Sequence, residues 1–269
     1  MKKFWVVLFF ALCGQLLQAV EIPICTEGHY QMYPAIGQGR IVWQDYRNGN
    51  WDVYMYEPWD NTERAICTEP STQCYPVIDG YDGNTIVWMD YRNGNYDIYI
   101  LDLSTGMEWP ICLNPSYQGY PDIYGGRIVW MDYRNRNWDI YMFDLLTGIE
   151  MPICTAPGHQ MYPKIFGDVI VWQDNRNGNW DIYMYTTAYV PEIPICEESH
   201  QQGYPAISGD YIVWMDNRKG NWDIYMYDLS TSTETAICTN TAYQGFPKIY
   251  SNYIVWMDYR NGNSDIYMY

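Results

Sequence analysis

Positive charge is scarce in this chain. Its 269 residues include 15 Lys or Arg against 32 Asp or Glu, a formal charge of −17 with the three histidines neutral. Six of the fifteen recur inside a repeat. No basic stripe is left to follow a phosphate backbone, which argues against nucleic acid as a partner. Such acidity favours solubility and repels anionic surfaces. Long apolar runs are nearly absent too. The one present, Phe4 to Leu12 behind Met1-Lys2-Lys3, is short for a membrane span. A charged start, an apolar stretch and a small residue at Ala19 predict a secretory signal peptide over residues 1–19. The expected location is therefore secreted, periplasmic or cell-surface, with no membrane span in the mature chain. Catalytic signatures are missing as well. There is no Gly-x-Ser-x-Gly elbow, no phosphate loop and no His-Glu-x-x-His. The acids could supply a pair for glycoside hydrolysis, but nothing singles one out.

Disulfide spacing is another absence. Eight cysteines in an exported chain would ordinarily suggest bridges. Here Cys25, Cys67, Cys112, Cys154, Cys196 and Cys238 fall one per repeat, in tracts such as Ile-Pro-Ile-Cys-Thr. Equivalent positions on neighbouring sheets stand well beyond the roughly 7 Å between Cα atoms that a bridge tolerates. These six are expected to be small buried hydrophobes. Cys74 lies off the column, and Cys67–Cys74 is the one bridge weighed.

What the chain has in abundance is repetition. Ile-Val-Trp-x-Asp-x-Arg occurs six times, with tryptophans at 43, 88, 130, 172, 214 and 256, spaced 45, 42, 42, 42 and 42 residues apart. A period of about 40–45 residues made of short strands predicts a β-propeller with one four-stranded blade per repeat. The fold class expected is all-β: a six-bladed propeller of antiparallel blades over residues 20–269. In the fifth copy the strands read as Tyr204 to Ser208, Tyr211 to Asp216, Trp222 to Asp228 and Glu234 to Thr239. The run Ile212-Val213-Trp214-Met215 is apolar on both faces, as a sheet sandwiched between two others requires. The last copy stops after its third strand, while Glu21-Ile-Pro-Ile-Cys-Thr26 matches the fourth-strand tract. Closure of the sixth blade by this N-terminal segment is expected. The extra residues of the second copy, Asp79 to Asn84, read as a surface turn extension.

Tracts such as Asp216-Asn-Arg-Lys-Gly-Asn-Trp-Asp-Ile-Tyr-Met-Tyr-Asp resemble the propeller repeats of TolB, the periplasmic component of the Tol system. They are similar, more closely, to the tandem TolB-like repeats of bacterial and archaeal surface proteins. The resemblance covers nearly all of residues 21–269 and carries the fold. It implies a function only at the level of a propeller scaffold.

Five sets of residues are candidates for chemistry. The first is the loop Asp-x-Arg-Asn-Gly-Asn-x-Asp, with Asp45 and Arg47, Asp90 and Arg92, Asp132 and Arg134, Asp174 and Arg176, Asp216 and Arg218, and Asp258 and Arg260. Its oxygens would suit calcium, but an Arg stands between the acids and the distal Glu of an EF-hand is absent. Structural pairing of Arg with carboxylate is the expectation. The third copy has Arg136 where the others have Gly, at a cost if φ is positive there. The second set is Gln31, Gln73, Gln118, Gln160, Gln202 and Gln244, each three residues before the Pro of the innermost strand. They are expected at one mouth of the channel, as a ligand site or bound to loop backbone. The third is His29, His159 and His200, which fall beside that column. A metal ion is the one cofactor they would allow, since three imidazoles with Gln are possible ligands. Oligogalacturonate lyases, which use a related propeller, similarly place His and Gln around a metal. The fourth set, Asp122, Lys164 and Lys248, breaks the repeat where other copies have Ala or Val, and is expected to face the channel. Trp51, Trp138, Trp180 and Trp222 follow the hairpin, as packing residues or as stacking surfaces for sugars.

The function expected is a secreted or surface-displayed, non-catalytic propeller, monomeric, binding a protein or glycan partner. The alternative is a carbohydrate-active propeller, either a lectin or a metal-assisted polysaccharide lyase.

Overall fold

The computed structural model describes residues 22–187 and 189–269. The expected signal peptide lies outside them. Among the described residues twenty-three strands form six sheets, each antiparallel and each ordered as in the chain. Blade one runs Gln31–Gly37, Arg40–Asp45, Asp52–Glu57 and Thr62–Cys67 from the axis outward. In blade five the strands are Gln202–Ser208, Tyr211–Asp216, Asp223–Asp228 and Thr233–Cys238, within two residues of the sequence reading. The second strand of each blade is apolar on both faces because it is covered on both: Val42, Val87, Val129, Val171 and Val213 are fully buried. No helix among the described residues is long and apolar enough to cross a membrane.

The innermost strands share a defect that shapes the axis. Each carries a Tyr-Pro or Phe-Pro pair at which the ladder to the second strand slips. Proline has no N–H to give the ladder, so a bulge is tolerated there. The aromatic before it, at 33, 75, 120, 162, 204 and 246, sits at φ between 51° and 56°. That left-handed backbone costs a non-glycine residue about 1–2 kcal/mol. Neighbouring blades catch some of the freed amides: Gln44 Oε1 accepts from Tyr75 N–H at 3.0 Å, and Gln173 Oε1 from Tyr204 N–H at 2.9 Å.

Blades are fastened to one another by the repeated arginine. In all six copies its Nη2 donates to the buried Asp two residues earlier at 2.5–2.6 Å. The same Asp accepts the indole N–H of the repeat Trp at 3.0–3.3 Å. The guanidinium lies 3.9–4.3 Å from the centre of a Tyr ring on the third strand. It also donates to the Cys Sγ of the column at 2.9–3.3 Å. That Cys belongs to the preceding blade for blades two to six, so each Arg spans an inter-blade joint. In blades one to five it adds an outer-strand Glu at 2.5–2.7 Å. Burial alone would raise Asp45, but the Arg47 and Trp43 hydrogen bonds outweigh it and hold the carboxyl at about 2. The cysteines are thus acceptors as well as buried apolar groups. All seven described ones, Cys67 and Cys74 included, are free thiols.

The closure expected at the N-terminus is not formed. Among the described residues the sixth sheet has three strands, Gln244–Tyr250, Tyr253–Asp258 and Asp265–Met268, and residues 22–26 join no sheet. Ile24 and Cys25 instead pack on Trp43, Tyr54 and Tyr56 of blade one, where Arg47 holds the Cys25 sulfur. This places Cys25 against blade one as each other Cys lies against the blade that follows it. The ladder to blade six is what is missing, and a four-residue edge offers few hydrogen bonds to nucleate it. Val255, unlike the five fully buried Val of its column, is only half-buried at this seam.

The extended turn of blade two does more than lengthen a surface loop. Asp79 is buried, and its two carboxylate oxygens accept from Gly125 and Gly126 N–H of blade three, both at 3.0 Å. Gln38 of blade one donates to the Gly80 and Tyr81 carbonyls. The insertion therefore ties three blades together.

Candidate functional site

The sequence columns that looked most polar are largely used up inside the fold. Gln73, Gln118, Gln160, Gln202 and Gln244 are fully buried. The amide nitrogens of Gln73, Gln118, Gln202 and Gln244 donate to carbonyls of the preceding inter-blade loop, Ser71, Ser116, His200 and Ala242, and that of Gln160 reaches the Ala156 and Trp138 carbonyls. None of the six glutamines, Gln31 included, lines the central cavity. The histidines stand in separate loops. His29 and His200 are exposed. His159 Nδ1 accepts from Trp138 N–H at 3.1 Å, and His200 Nδ1 lies 3.2 Å from Ser199 Oγ. Among the described residues no three His, Cys, Asp or Glu side chains gather as a metal site would require. In the hairpin loop, Asn48 and Asn50 turn N–H groups to the Asp52 carboxylate at 2.6 and 2.9 Å. The loop is cross-linked by its own donors. Trp51 and Trp138 are half-buried against Tyr46 and Tyr133, at 5.1 and 5.0 Å between ring centres.

The open space lies on the axis. A cavity of about 700 Å³ is lined by the innermost strands of blades one to four and six. This volume is within the range of small-molecule sites. Its first tier is formed by Tyr33, Tyr75, Tyr120 and Tyr162 of the strained aromatic column, which continues beyond the cavity lining. Tyr33, Tyr75, Tyr120, Tyr162, Tyr204 and Phe246 touch in series at 4.3, 4.7, 5.0, 4.9 and 4.9 Å between ring centres. Among the described residues no contact joins Phe246 back to Tyr33, which leaves the ring of aromatics open at the same seam. Burial, then hydrogen bonding to Tyr33 and Tyr120, pushes the Tyr75 hydroxyl well above the ordinary phenol range. It remains a neutral donor at any physiological pH.

The next tier holds the residues that break the repeat. Ala35, Val77, Asp122, Lys164, Ala206 and Lys248 occupy one register position, each opposite the Val of its second strand. Among the described residues Asp122, Lys164 and Lys248 are the only charged side chains lining the cavity. Lys164 Nζ lies 3.3 Å from Asp122 Oδ1, and Asp122 Oδ2 accepts from Ile165 N–H at 2.9 Å. Lys248 keeps an open face to the channel yet is hemmed in by its walls. Desolvation, and then the Lys164 charge, lower its ammonium to about 8, with Asp122 opposing. The sequence singled out these three by their departure from the repeat, and the structure sets them on one wall. The aromatic tier went unread there, because an aromatic in every copy looks like scaffold.

Comparison with solved structures agrees on architecture. The β-propeller domain of the trilobed protease from Pyrococcus furiosus, described as having an open velcro topology, superposes with a TM-score of 0.74. It is 15% identical over 90% of this chain and 82% of that one. TolB from Acinetobacter baumannii gives a TM-score of 0.62 at 15% identity, over 84% of this chain and 58% of that one. The fold is that of a TolB-like propeller. An acylaminoacyl peptidase from Pyrococcus horikoshii carries a similar body, with a TM-score of 0.66 at 14% identity, over 90% of this chain and 44% of that one. At such identities the likeness is one of fold. No protein-family model matches the sequence, and neither does any of the curated proteins.

Proposed function

We propose that the chain is an exported, non-catalytic binding propeller that takes its ligand into the central channel. The observation that carries this reading is the cavity itself. It is walled by a strained aromatic tier and by three charged residues that differ from blade to blade, whereas the six-fold polar columns are spent on internal bonds. Strained backbone kept at a cavity wall points to a use for the side chain it aims. Export is supported by the charged and apolar start of the chain, and by its likeness to the periplasmic and surface-displayed propellers. A second reading, a carbohydrate ligand and with it a lectin or lyase, is favoured by the phenol faces of the ring, which suit the faces of sugars.

The test is a thermal-shift screen of residues 20–269 against short peptides and oligosaccharides, beside Ala35→Trp, which fills the channel at its wall. A ligand present at a hundred times its Kd adds about 2.7 kcal/mol, which raises Tm by roughly 5–10 °C for a domain of this size. The shift should vanish in Ala35→Trp. Binding undiminished by the plug would move the site off the axis. Release of unsaturated sugars absorbing in the near ultraviolet, lost on chelation, would overturn the non-catalytic reading.

A further inference from the structure

The distribution of lysine is the least expected feature of the molecule. The chain has five lysines, and two of them, Lys164 and Lys248, stand on the channel wall of a protein with net charge −17. Most arginines are already engaged. Every arginine among the described residues except Arg136 holds a carboxylate in an ion pair. Lys164 shares Asp122, whereas Lys248 has no ion pair among the described residues. Two ammoniums against one carboxylate leave the cavity one positive charge in excess. Low-dielectric walls concentrate the field of that charge along the axis.

The geometry says where an anion would sit. Lys164 is on blade four and Lys248 on blade six, and blade five contributes no residue to the cavity lining between them. A carboxylate of a ligand placed in that gap faces the two lysines that line it. The rest of the lining is Tyr, Pro, Ala, Ile and Val, which asks for an organic body rather than a bare ion. Phosphate fits less well. No guanidinium fork reaches the cavity, and a dianion would lie close to Asp122.

We propose that the channel binds a small organic carboxylate, its charge held between Lys248 and Lys164 and its body laid against the tyrosine tier. This rests on the channel-binding reading above and adds the chemical class of the ligand.

Benzoate and its neutral isostere benzamide are suitable probes, titrated calorimetrically into residues 20–269 at neutral pH and low salt. Benzoate should bind at least tenfold tighter, a difference of about 1.4 kcal/mol. Lys248→Met and Lys248→Gln should both erase the preference for benzoate over benzamide. Asp122→Asn, which frees Lys164, should tighten benzoate only. The charged groups facing Lys248 are Lys164 and Asp122, so the preference should also fade as pH rises past about 8. Equal affinity for the two probes, no benzoate binding at millimolar concentration, a preference indifferent to both Lys248 variants, or tighter binding of inorganic phosphate would each overturn the carboxylate site. A neutral ligand whose binding Ala35→Trp abolishes would keep the channel reading while this inference fell.

Discussion

Removing one repeated arginine tests the account of what fastens the blades. Arg134 is the cleanest choice. Its Nη2 meets Asp132 at 2.6 Å, and Asp132 is completely buried. Arg134→Met keeps the stem and takes away the charge. Asp132 would retain the Trp130 indole at 3.1 Å and the backbone N–H of residue 134 at 2.9 Å, but no countercharge. Stranding a buried carboxylate costs about 3–5 kcal/mol, and the two surviving hydrogen bonds place the expectation at the lower end. Loss of the Tyr141 ring contact at 4.0 Å adds about 0.5–1 kcal/mol. The partly exposed Glu150 pair adds less than ~1 kcal/mol. The sum, about 4 kcal/mol, should lower Tm by roughly 10 °C and shift the urea midpoint without changing the slope. Asp132→Asn in the Arg134→Met background should restore part of the loss, because an amide needs no countercharge. Arg260, which has no Glu partner among the described residues and is 28% exposed, should cost less when replaced in the same way. A loss below ~1 kcal/mol for Arg134→Met, or no recovery in the double variant, would refute the reasoning.

Arg136 has φ of 71°, where the matching glycines of the other copies have 87–99°; Arg136→Gly should therefore stabilise the fold by about 1 kcal/mol, read as a raised urea midpoint, and an unchanged or lowered midpoint would remove strain from the account. The thiols of Cys67, Cys74, Cys112 and Cys196 are pushed by burial from 9.0 up to about 12. The native state then binds more protons than the unfolded chain above about pH 9, so stability should be intact below that pH and fall steadily towards pH 12. Lys248, lowered to about 8, opposes this by a single proton. Urea titrations across the window, with thiolate absorbance followed in parallel, check the sign; a midpoint that stays level from pH 9 to 11 would contradict it.

The six-fold period, the strand limits and the role of the hairpin arginine were legible in the sequence because each is local. A blade is one 42-residue unit, and its apolar runs and turns fix its own register. Arg136 at positive φ followed from alignment with Gly49, Gly94, Gly178, Gly220 and Gly262. Asp122, Lys164 and Lys248 were found by the same comparison, since the innermost strand has one position per copy that meets the axis. The glutamines share that strand, and the sequence expected them at the channel mouth. A strand alternates its faces and then slips at the Tyr-Pro bulge, and no periodicity says on which side of the slip the channel begins.

By itself, then, the sequence determined a ring of six like sheets, with the positions where those sheets differ. Only the tertiary structure decided which of those positions share a wall. It put Lys164 and Lys248 on either side of Ala206, dispersed the three histidines, turned a cysteine column into acceptors for the next blade's arginine, and left the sixth sheet with three strands. The physical reason is that patterning within a blade is set by near neighbours along the chain. Contacts between blades depend on how far each sheet turns about the common axis, and no local tract encodes that turn.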